Sequence, residues 1–184
     1  MMTTRKQSFH KGLNAQIENI NIIFLITRPP MRTFQTRIAS SKDIDAVAVL
    51  FDAYRQFYEQ ESDLLLATRF IRDRISKEES VIILAESADH QILGFCQMYP
   101  SFCSVEAVPI YTLYDLFVQP EARRTGAGKA LLLAAERHAS RIGVARMDLT
   151  TAKTNIAGQA LYESLGWIQD EIFFSYSKQI QAKD

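Results

Sequence analysis

The stretch Leu113-Tyr-Asp-Leu-Phe-Val-Gln-Pro-Glu-Ala-Arg-Arg-Thr-Gly-Ala-Gly-Lys-Ala-Leu-Leu132 decides the fold. It predicts a strand, an arginine-rich turn with two glycines, and then a helix. Backbone N–H groups at such a turn point outward, where the helix dipole is positive, and therefore form a site for a pyrophosphate. Gly126 and Gly128 let the backbone approach the phosphates without a Cβ in the way. The basic residues of the turn are Arg123, Arg124 and Lys129.

Three phosphate-binding patterns compete for this turn, and spacing separates them. The P-loop, G-x-x-x-x-G-K-[ST], is excluded because Arg123 stands at its first glycine and Ala130 at its last position. The dinucleotide fingerprint, G-x-G-x-x-G, has Leu131 at its third glycine. It stays open as an alternative because Asp148 follows the turn at about the distance of the acidic residue in that fingerprint.

The third pattern is [QR]-x-x-G-x-[GA] behind a strand that ends in V-x-P, and residues 118–128 fit it throughout. A second block, Asn155-Ile-Ala-Gly-Gln-Ala-Leu-Tyr-Glu-Ser-Leu-Gly-Trp167, matches N-x-x-A-x-x-[FL]-Y-x-x-x-G-F. Two positions depart mildly, Gly158 for the small alanine and Trp167 for the phenylalanine. On these two blocks, the chain resembles the GNAT N-acetyltransferase superfamily from about residue 36 to residue 178.

The order of the predicted elements is that of an α/β (α+β) domain. Strands are predicted at residues 33–38, 80–86, 92–99, 110–118, 144–150 and 167–177. Helices are predicted after N-caps at Ser40 and Asp63, after the phosphate turn, and over residues 155–165. The resemblance implies a mixed, mostly antiparallel central sheet of six to seven strands flanked by four helices. We expect this domain to cover residues 33–184.

The resemblance implies acetyl-CoA as the cosubstrate, held by peptide amides of residues 124–129, and direct transfer to a primary amine in a ternary complex. Asn155 would then bond the pantetheine arm, and a backbone N–H near Leu116 or Phe117 would face the acetyl oxygen. The predicted cofactor-binding residues are Leu116, Phe117, Val118, Arg123, Arg124, Thr125, Gly126, Ala127, Gly128, Lys129 and Asn155.

Two residues are predicted to carry the chemistry. Tyr162 lies two helical turns from Asn155, on the same face, and is the candidate acid for the departing thiolate. Asp115 lies among apolar residues of a strand, where a carboxylate is costly unless it is hydrogen-bonded or used. It is the candidate base, but Tyr114 replaces the first residue of the acidic pair seen in similar GNAT sequences, so an ordered water or the substrate ammonium stays open for Asp115. The structural alternatives are that Tyr162 is a packed aromatic residue and that Asp115 hydrogen-bonds a neighbouring loop.

Composition narrows the partners. The chain has 21 basic and 21 acidic residues, so it shows no general field for nucleic acid or membrane. Cys96 and Cys103 lack metal-ligand spacing and are expected as free thiols of a reducing, cytoplasmic compartment. No metal site is predicted. The run 20–26 is too short to cross a bilayer. Residues 1–32 are interpreted as a leader, disordered or a start-site artefact, with a packed extension as the alternative; a homodimer is a candidate from the resemblance alone.

The acceptor itself is not predicted. The aromatic cluster of Tyr54, Phe57 and Tyr58, followed by Glu59 and Glu61, either recognises an amine or forms core and a solvated face. Two further functions stay open, a non-catalytic acyl-CoA-binding module and a dinucleotide-binding protein.

Overall fold

A computed structural model describes residues 34–180, so the predicted leader lies outside the described residues. The strands are β1 (Phe34–Ile38), β2 (Val81–Ser87), β3 (Ile92–Cys103), β4 (Val108–Val118) and β5 (Arg146–Asp148). The helices are α1 (Ile44–Phe57), α2 (Leu64–Ser76), α3 (Ala127–Arg141) and α4 (Ile156–Ser164), with single 3-10 turns at Ser41–Asp43 and Pro120–Ala122.

The strands form one mixed, mostly antiparallel sheet in the order β1-β2-β3-β4-β5. The first four strands pair antiparallel with their neighbours in sequence. Strand β5 joins β4 in parallel, and only over Ile110–Thr112 of β4. The mixed architecture and the four helices agree with the prediction, whereas the sheet of residues 34–180 has five strands instead of six to seven.

The predicted strand over residues 167–177 is wrong. The Asp170 side chain accepts hydrogen bonds from the backbone N–H groups of Ile172 (2.8 Å) and Phe173 (3.0 Å). Such a local turn satisfies donors that a strand would need for its ladder. Strand β5 is also shorter than the predicted 144–150, and β3 and β4 extend towards each other across a turn shorter than the predicted loop.

Asp63 caps α2 as predicted, whereas Ser40 caps the 3-10 turn Ser41–Asp43 that leads into α1. The Ser40 hydroxyl accepts from the Lys42 N–H, and the Asp43 carboxylate accepts from the Ser40 N–H (2.7 Å), which together form a capping box. The Asp63 carboxylate accepts from the Leu66 N–H (2.9 Å) at the start of α2. These caps satisfy donors that a helix end would otherwise leave unpaired.

Alternate strand residues divide the core between the two faces of the sheet. Helices α1 and α2 cover one face, where Leu84, Phe95 and Phe117 are buried. Helix α3 covers the other face, where Ile83, Cys96 and Met98 are buried. Leu161 and Leu165, in and just after α4, pack against this second core. Among the helices of residues 34–180, none combines the length and hydrophobicity that crossing a membrane requires.

Gly94 lies where β3 and β4 come unusually close. A Cβ on this residue would stand 2.5 Å from the carbonyl oxygen of Phe117 and 3.0 Å from the Cα of Val118. The ladder between β2 and β3 shifts register beside it, between Ala85 and Glu86. Glycine is required here because any side chain would push β4 away from β3.

Candidate active site

Strand β4 carries an extra residue at its centre. Gln97 pairs with Asp115, but the next residue of β3, Met98, pairs with Leu113, so Tyr114 has no partner on β3. This is a β-bulge, and it changes which face the side chains of β4 occupy. Phe117 beyond the bulge packs towards α1, whereas Leu113 before it packs towards α3. Asp115 lies two residues before Phe117 on the same strand, so its side chain also faces α1.

Beyond Thr112, β4 has a strand partner on one side only, because its pairing with β5 ends at Asp148. Backbone N–H and C=O groups of residues 113–118 that point away from β3 have no ladder partner in residues 34–180. The predicted cofactor contacts at Leu116, Phe117 and Val118 fall in this open part of the strand.

Asp115 is a buried carboxylate, with 4% of its surface exposed. Burial raises the pKa of Asp115 to about 6, and a hydrogen bond from the Tyr54 hydroxyl opposes part of that rise. The same hydroxyl lies 3.3 Å from the carbonyl oxygen of Tyr114. Burial and the charge of Asp115 raise the pKa of Tyr54, so its phenol stays protonated and donates. Asp115 is therefore mostly ionised at neutral pH, yet a stronger base than an exposed aspartate.

Aromatic rings surround this carboxylate. Tyr58 packs edge-on against Tyr54 and Phe57, with ring centroids 5.1 and 5.2 Å apart, at the end of α1. From the sheet, Tyr99 and Tyr114 pack edge-on at 6.0 Å, and 68% of Tyr114 is exposed. Exposed ring surface beside a buried negative charge suits a cation. We call these five residues the aromatic wall.

A buried aspartate holds the end of α1 to the start of α2. Asp52 accepts hydrogen bonds from the Ser62 hydroxyl (2.7 Å) and the Asp63 N–H (2.8 Å). It also accepts from the side chains of Gln56 (2.9 Å) and Arg55 (3.3 Å). These bonds, with those from Ser62 and Asp63 largest, lower the pKa of Asp52 and fix the segment next to Phe57 and Tyr58.

The phosphate turn has the backbone that the sequence predicts. Gly126 is the N-cap of α3 in the left-handed conformation (φ 97°), where glycine is favoured. The first helical hydrogen bond at this end runs from the Ala130 N–H to the Gly126 carbonyl. The preceding N–H groups, from Gly126 to Lys129, therefore have no helical acceptor. The side chains of Arg124 and Lys129 are exposed beside them.

Arg123 and Thr125 hydrogen-bond back to the backbone that precedes this turn. The Arg123 guanidinium donates to the Val118 carbonyl oxygen (3.1 Å) and lies over the rings of Phe57 (5.7 Å) and Phe117 (5.8 Å). The Thr125 hydroxyl donates to the carbonyl of Ala122 (2.7 Å). Arg123 thus connects the phosphate turn with the aromatic wall.

Two glycines have packing roles that the sequence did not reveal. A Cβ on Gly128 would stand 3.3 Å from the Leu161 side chain, so this glycine lets the start of α3 approach α4. A Cβ on Gly158 would collide with the side chain of Asn155. That side chain caps α4, because its Oδ1 accepts from the Gly158 N–H (3.1 Å). The Asn155 side chain therefore fills the space over Gly158 and leaves no room there for a ligand.

Tyr162 and Asn155 share a partner. Asn155 Nδ2 donates to the Thr151 hydroxyl (3.0 Å), and Thr151 also hydrogen-bonds the Tyr162 side chain. The ring of Tyr162 is half-buried beside Trp167, with centroids 6.1 Å apart. Burial, with a smaller contribution from nearby Tyr58, raises the pKa of Tyr162. Its phenol is therefore protonated, and it lies near enough to Tyr58 of the aromatic wall to be influenced by it.

Comparison with known proteins decides the family. Residues 46–167 match the acetyltransferase (GNAT) family model. The chain belongs to the GNAT acetyltransferase family. It is 43% identical over 147 residues to the uncharacterized N-acetyltransferase YhfO of Bacillus subtilis (strain 168), covering 80% of this chain and 98% of that protein. The crystal structure of a probable acetyltransferase superposes with a TM-score of 0.76 at 35% identity, covering 81% of this chain and 99% of that one.

The GNAT fold is shared with a structure that holds the cofactor. Aminoglycoside N-acetyltransferase AAC(6')-Iy in complex with CoA superposes with a TM-score of 0.68 at 17% identity, covering 81% of this chain and 97% of that one. The family assignment favours the acetyl-CoA pattern of the turn over the dinucleotide fingerprint.

In this GNAT domain, sequence reasoning missed three residues of the site: Gln97, Asp52 and Thr151. Gln97 was detectable as an amide within the apolar run of a central strand, whereas Asp52 and Thr151 look like ordinary surface residues in the sequence. Elsewhere, His138 packs beside Tyr111 (6.1 Å), and burial lowers its pKa. In residues 34–180, no three His, Cys, Asp or Glu side chains are grouped to hold a metal ion.

Proposed function

We propose that this protein transfers the acetyl group of acetyl-CoA to a primary amine by direct transfer in a ternary complex. The observation that carries the proposal is the buried Asp115 carboxylate, which lies beside Tyr54 and Tyr99 of the aromatic wall, on the strand whose open edge leads from the phosphate turn. A carboxylate with a pKa of about 6 beside exposed aromatic rings suits the capture and deprotonation of an ammonium.

The residues of the turn fit the diphosphate of coenzyme A. Gly126, Ala127, Gly128 and Lys129 offer N–H groups without helical acceptors, and the positive end of the α3 dipole lies behind them. Arg124, Thr125 and Lys129 complete the predicted contacts, with Arg123 supporting the turn from the side of the wall. When bound, acetyl-CoA supplies an activated acetyl thioester.

Asp115 and the aromatic wall would prepare the acceptor. The ammonium docks against the rings, and Asp115 accepts one of its protons, which frees the nitrogen lone pair for the acetyl carbon. A backbone N–H of Leu116 or Phe117, on the unpaired side of β4, donates to the acetyl oxygen as negative charge builds there.

Tyr162 would complete the transfer. As the new carbon–nitrogen bond forms, the carbon–sulfur bond breaks, and the Tyr162 hydroxyl gives its proton to the departing sulfur. The second nitrogen proton then returns to Tyr162, and Asp115 releases the first to water. Each turnover yields the acetamide, the thiol and one proton.

An acetylation assay with acetyl-CoA and a panel of primary amines tests the proposal. We expect transfer to at least one amine, intersecting initial-velocity lines, and a loss of about 10²–10⁴-fold in kcat/KM for Asp115→Asn. The control is Asp45→Asn, an exposed aspartate of α1. Parallel lines would instead indicate an acyl-enzyme. Binding of acetyl-CoA without transfer to any amine would favour a non-catalytic acyl-CoA-binding module.

Calorimetry tests the phosphate turn separately. Gly126→Val places a β-branched residue at φ 97° and should weaken acetyl-CoA binding at least about tenfold. The matched control is Gly143→Val, which has a comparable φ of 78° with open space around it at the far end of α3. Equal affinities in the two variants, or tighter binding of NADH than of acetyl-CoA, would remove the turn from its proposed role.

Location and assembly remain predictions. Cys96 and Cys103 are free thiols, which supports a reducing, cytoplasmic compartment. The acceptor is proposed as a small molecule or peptide amine, without nucleic acid or membrane, and a homodimer stays a candidate.

A further inference from the structure

Gln97 is a fully buried amide directly opposite Asp115. It has 0% exposed surface, and the two residues are Cα partners in the antiparallel pair of β3 and β4. Directly opposed residues of such a pair point to the same face, with Cβ atoms about 4.5–5.5 Å apart. The Gln97 side chain is therefore the sheet neighbour of the Asp115 carboxylate.

One polar atom of this amide has a hydrogen-bond partner, and the other has none. Gln97 Nε2 donates to the Tyr99 hydroxyl. Gln97 Oε1 has no hydrogen-bond partner, one of three such buried side-chain atoms in residues 34–180. Because a buried acceptor without a donor is costly, an unpaired Oε1 points to a partner that is present in another state of the site.

Protonation of Asp115 supplies that partner. An ionised carboxylate has no hydrogen to give to Oε1, whereas the carboxylic acid has one. When Asp115 is ionised, a rotation of the amide by half a turn gives each of these groups a hydrogen-bond partner. Nε2 then donates to Asp115, and Oε1 accepts from the Tyr99 hydroxyl. An amide is the side chain that can serve both states, because it carries a donor and an acceptor.

Few other polar groups face this pair. The Tyr54 hydroxyl of α1 lies beside Asp115 and donates to the Tyr114 carbonyl oxygen, and the ring of Tyr114 lies against Tyr99. Arg74 of α2 acts on Tyr99 from a distance, with its charge opposing the larger effect of burial on the Tyr99 pKa. Burial and the charge of Asp115 raise the pKa of Tyr99 to about 12, so its hydroxyl keeps its proton in both states.

We propose that Gln97 is a positioning residue whose amide turns with the protonation of Asp115 and, together with Tyr99, completes the hydrogen bonding of both the ionised and the protonated carboxyl. The proposal rests on the proposed function, in which Asp115 takes and releases a proton in every turnover. In this role, Gln97 keeps both the ionised and the protonated states of Asp115 accessible in a buried site and aims the carboxyl at the acceptor.

The first test is the pH profile of kcat/KM for Gln97→Met, an apolar residue of similar length. A charged hydrogen bond is roughly twice as strong as a neutral one, so losing the amide penalises the ionised Asp115 more. We expect the acid limb to move to higher pH by about one unit. The matched control is Gln35→Met, on an exposed position of β1, which should leave the limb in place. An unmoved or lowered acid limb in Gln97→Met would overturn the proposal.

The second test reads the amide directly and needs no activity. In NMR spectra of the full chain, the side-chain NH₂ signals of Gln97 should titrate with the pKa of Asp115 near 6, and this titration should vanish in Asp115→Asn. Exposed Gln35 serves as the internal control. Signals of Gln97 that stay constant from pH 5 to 8 would refute the turning amide even if the enzyme is active. A titrating amide in a protein that acetylates no amine would leave this inference standing while the proposed function fails.

Discussion

The two faces of the sheet bury different chemistry. Every polar or charged residue buried in residues 34–180 belongs to the side of α1: Asp43 and Asp52 at the helix, Gln97 and Asp115 on the sheet. The face under α3 buries aliphatic side chains with Cys96 and Tyr111. Both faces bury an apolar core, and within residues 34–180 the costly carboxylate of the sheet stands on the face under α1.

The division teaches where function and stability can be separated. Substitutions of buried apolar residues on either face should act on folding, whereas substitutions of Gln97 and Asp115 should act on proton chemistry with smaller or opposite effects on folding. Tyr162 tests whether the two faces act together in the chemistry. It packs on the α3 side, but Tyr58 of the aromatic wall contributes to the rise of its pKa.

The largest effect is expected at Tyr162. Tyr162→Phe keeps the packing against Trp167 and removes the proposed acid, so turnover should fall by about 10²-fold or more. The dissociation constant of acetyl-CoA, measured by calorimetry, should change little. Unchanged turnover would mean that Tyr162 is a packed aromatic and that the two faces do not meet in the chemistry.

A second substitution tests the apolar face. Leu131 is fully buried under α3, and Leu131→Ala should lower the free energy of unfolding by about 2–5 kcal/mol in urea titrations. Leu133→Ala, at a half-buried position of the same helix, is the control and should cost less. The folded fraction of Leu131→Ala should retain its turnover. A loss below about 1 kcal/mol would show that this face does not carry the stability.

A third prediction concerns the pH dependence of stability at Asp115, on the face under α1. The pKa of Asp115 is raised from 3.8 to about 6 by burial, so the folded protein is less stable when this group is ionised. Relative to wild type, Asp115→Asn should gain up to about 3 kcal/mol as the pH rises from below 4 to above 6. The measurement is the difference in the free energy of unfolding at pH 3.5 and pH 7.5. A constant difference would mean that Asp115 is not a buried, raised carboxyl.

The smallest effect is expected at the start of α4. Alanine is favoured over glycine within a helix by about 1 kcal/mol, but at Gly158 the Asn155 side chain occupies the space. Gly158→Ala alone should therefore stabilise little or destabilise, whereas in an Asn155→Ala background it should stabilise by about 1 kcal/mol. Thermal unfolding of the four proteins gives the coupling. Additive effects would mean that the cap and the glycine are independent.

Sequence reasoning succeeded where the signal is local. The turn around Gly126 and the caps at Ser40 and Asp63 follow from spacing within a few residues. The cost of a carboxylate in an apolar strand also singled out Asp115, and the structure shows that this residue is buried.

Sequence reasoning failed where register or distant contacts decide. The bulge at Tyr114 determines that Gln97 stands opposite Asp115, and no local pattern encodes that register. The capture of Ser62 and Asp63 by Asp52 joins residues ten and eleven positions apart, so it too depends on tertiary packing. In residues 167–177, the predicted strand is replaced by a local turn at Asp170.

The bonds of Asp52 have a consequence for affinity. Because the segment after α1 is tied to the start of α2 in the folded protein, its conformational freedom is already lost before any acceptor arrives. An arriving amine therefore meets a rigid lining and gives up binding energy only for its own immobilisation. Small acceptors, which make few contacts, benefit most from a receptor that is ordered in advance.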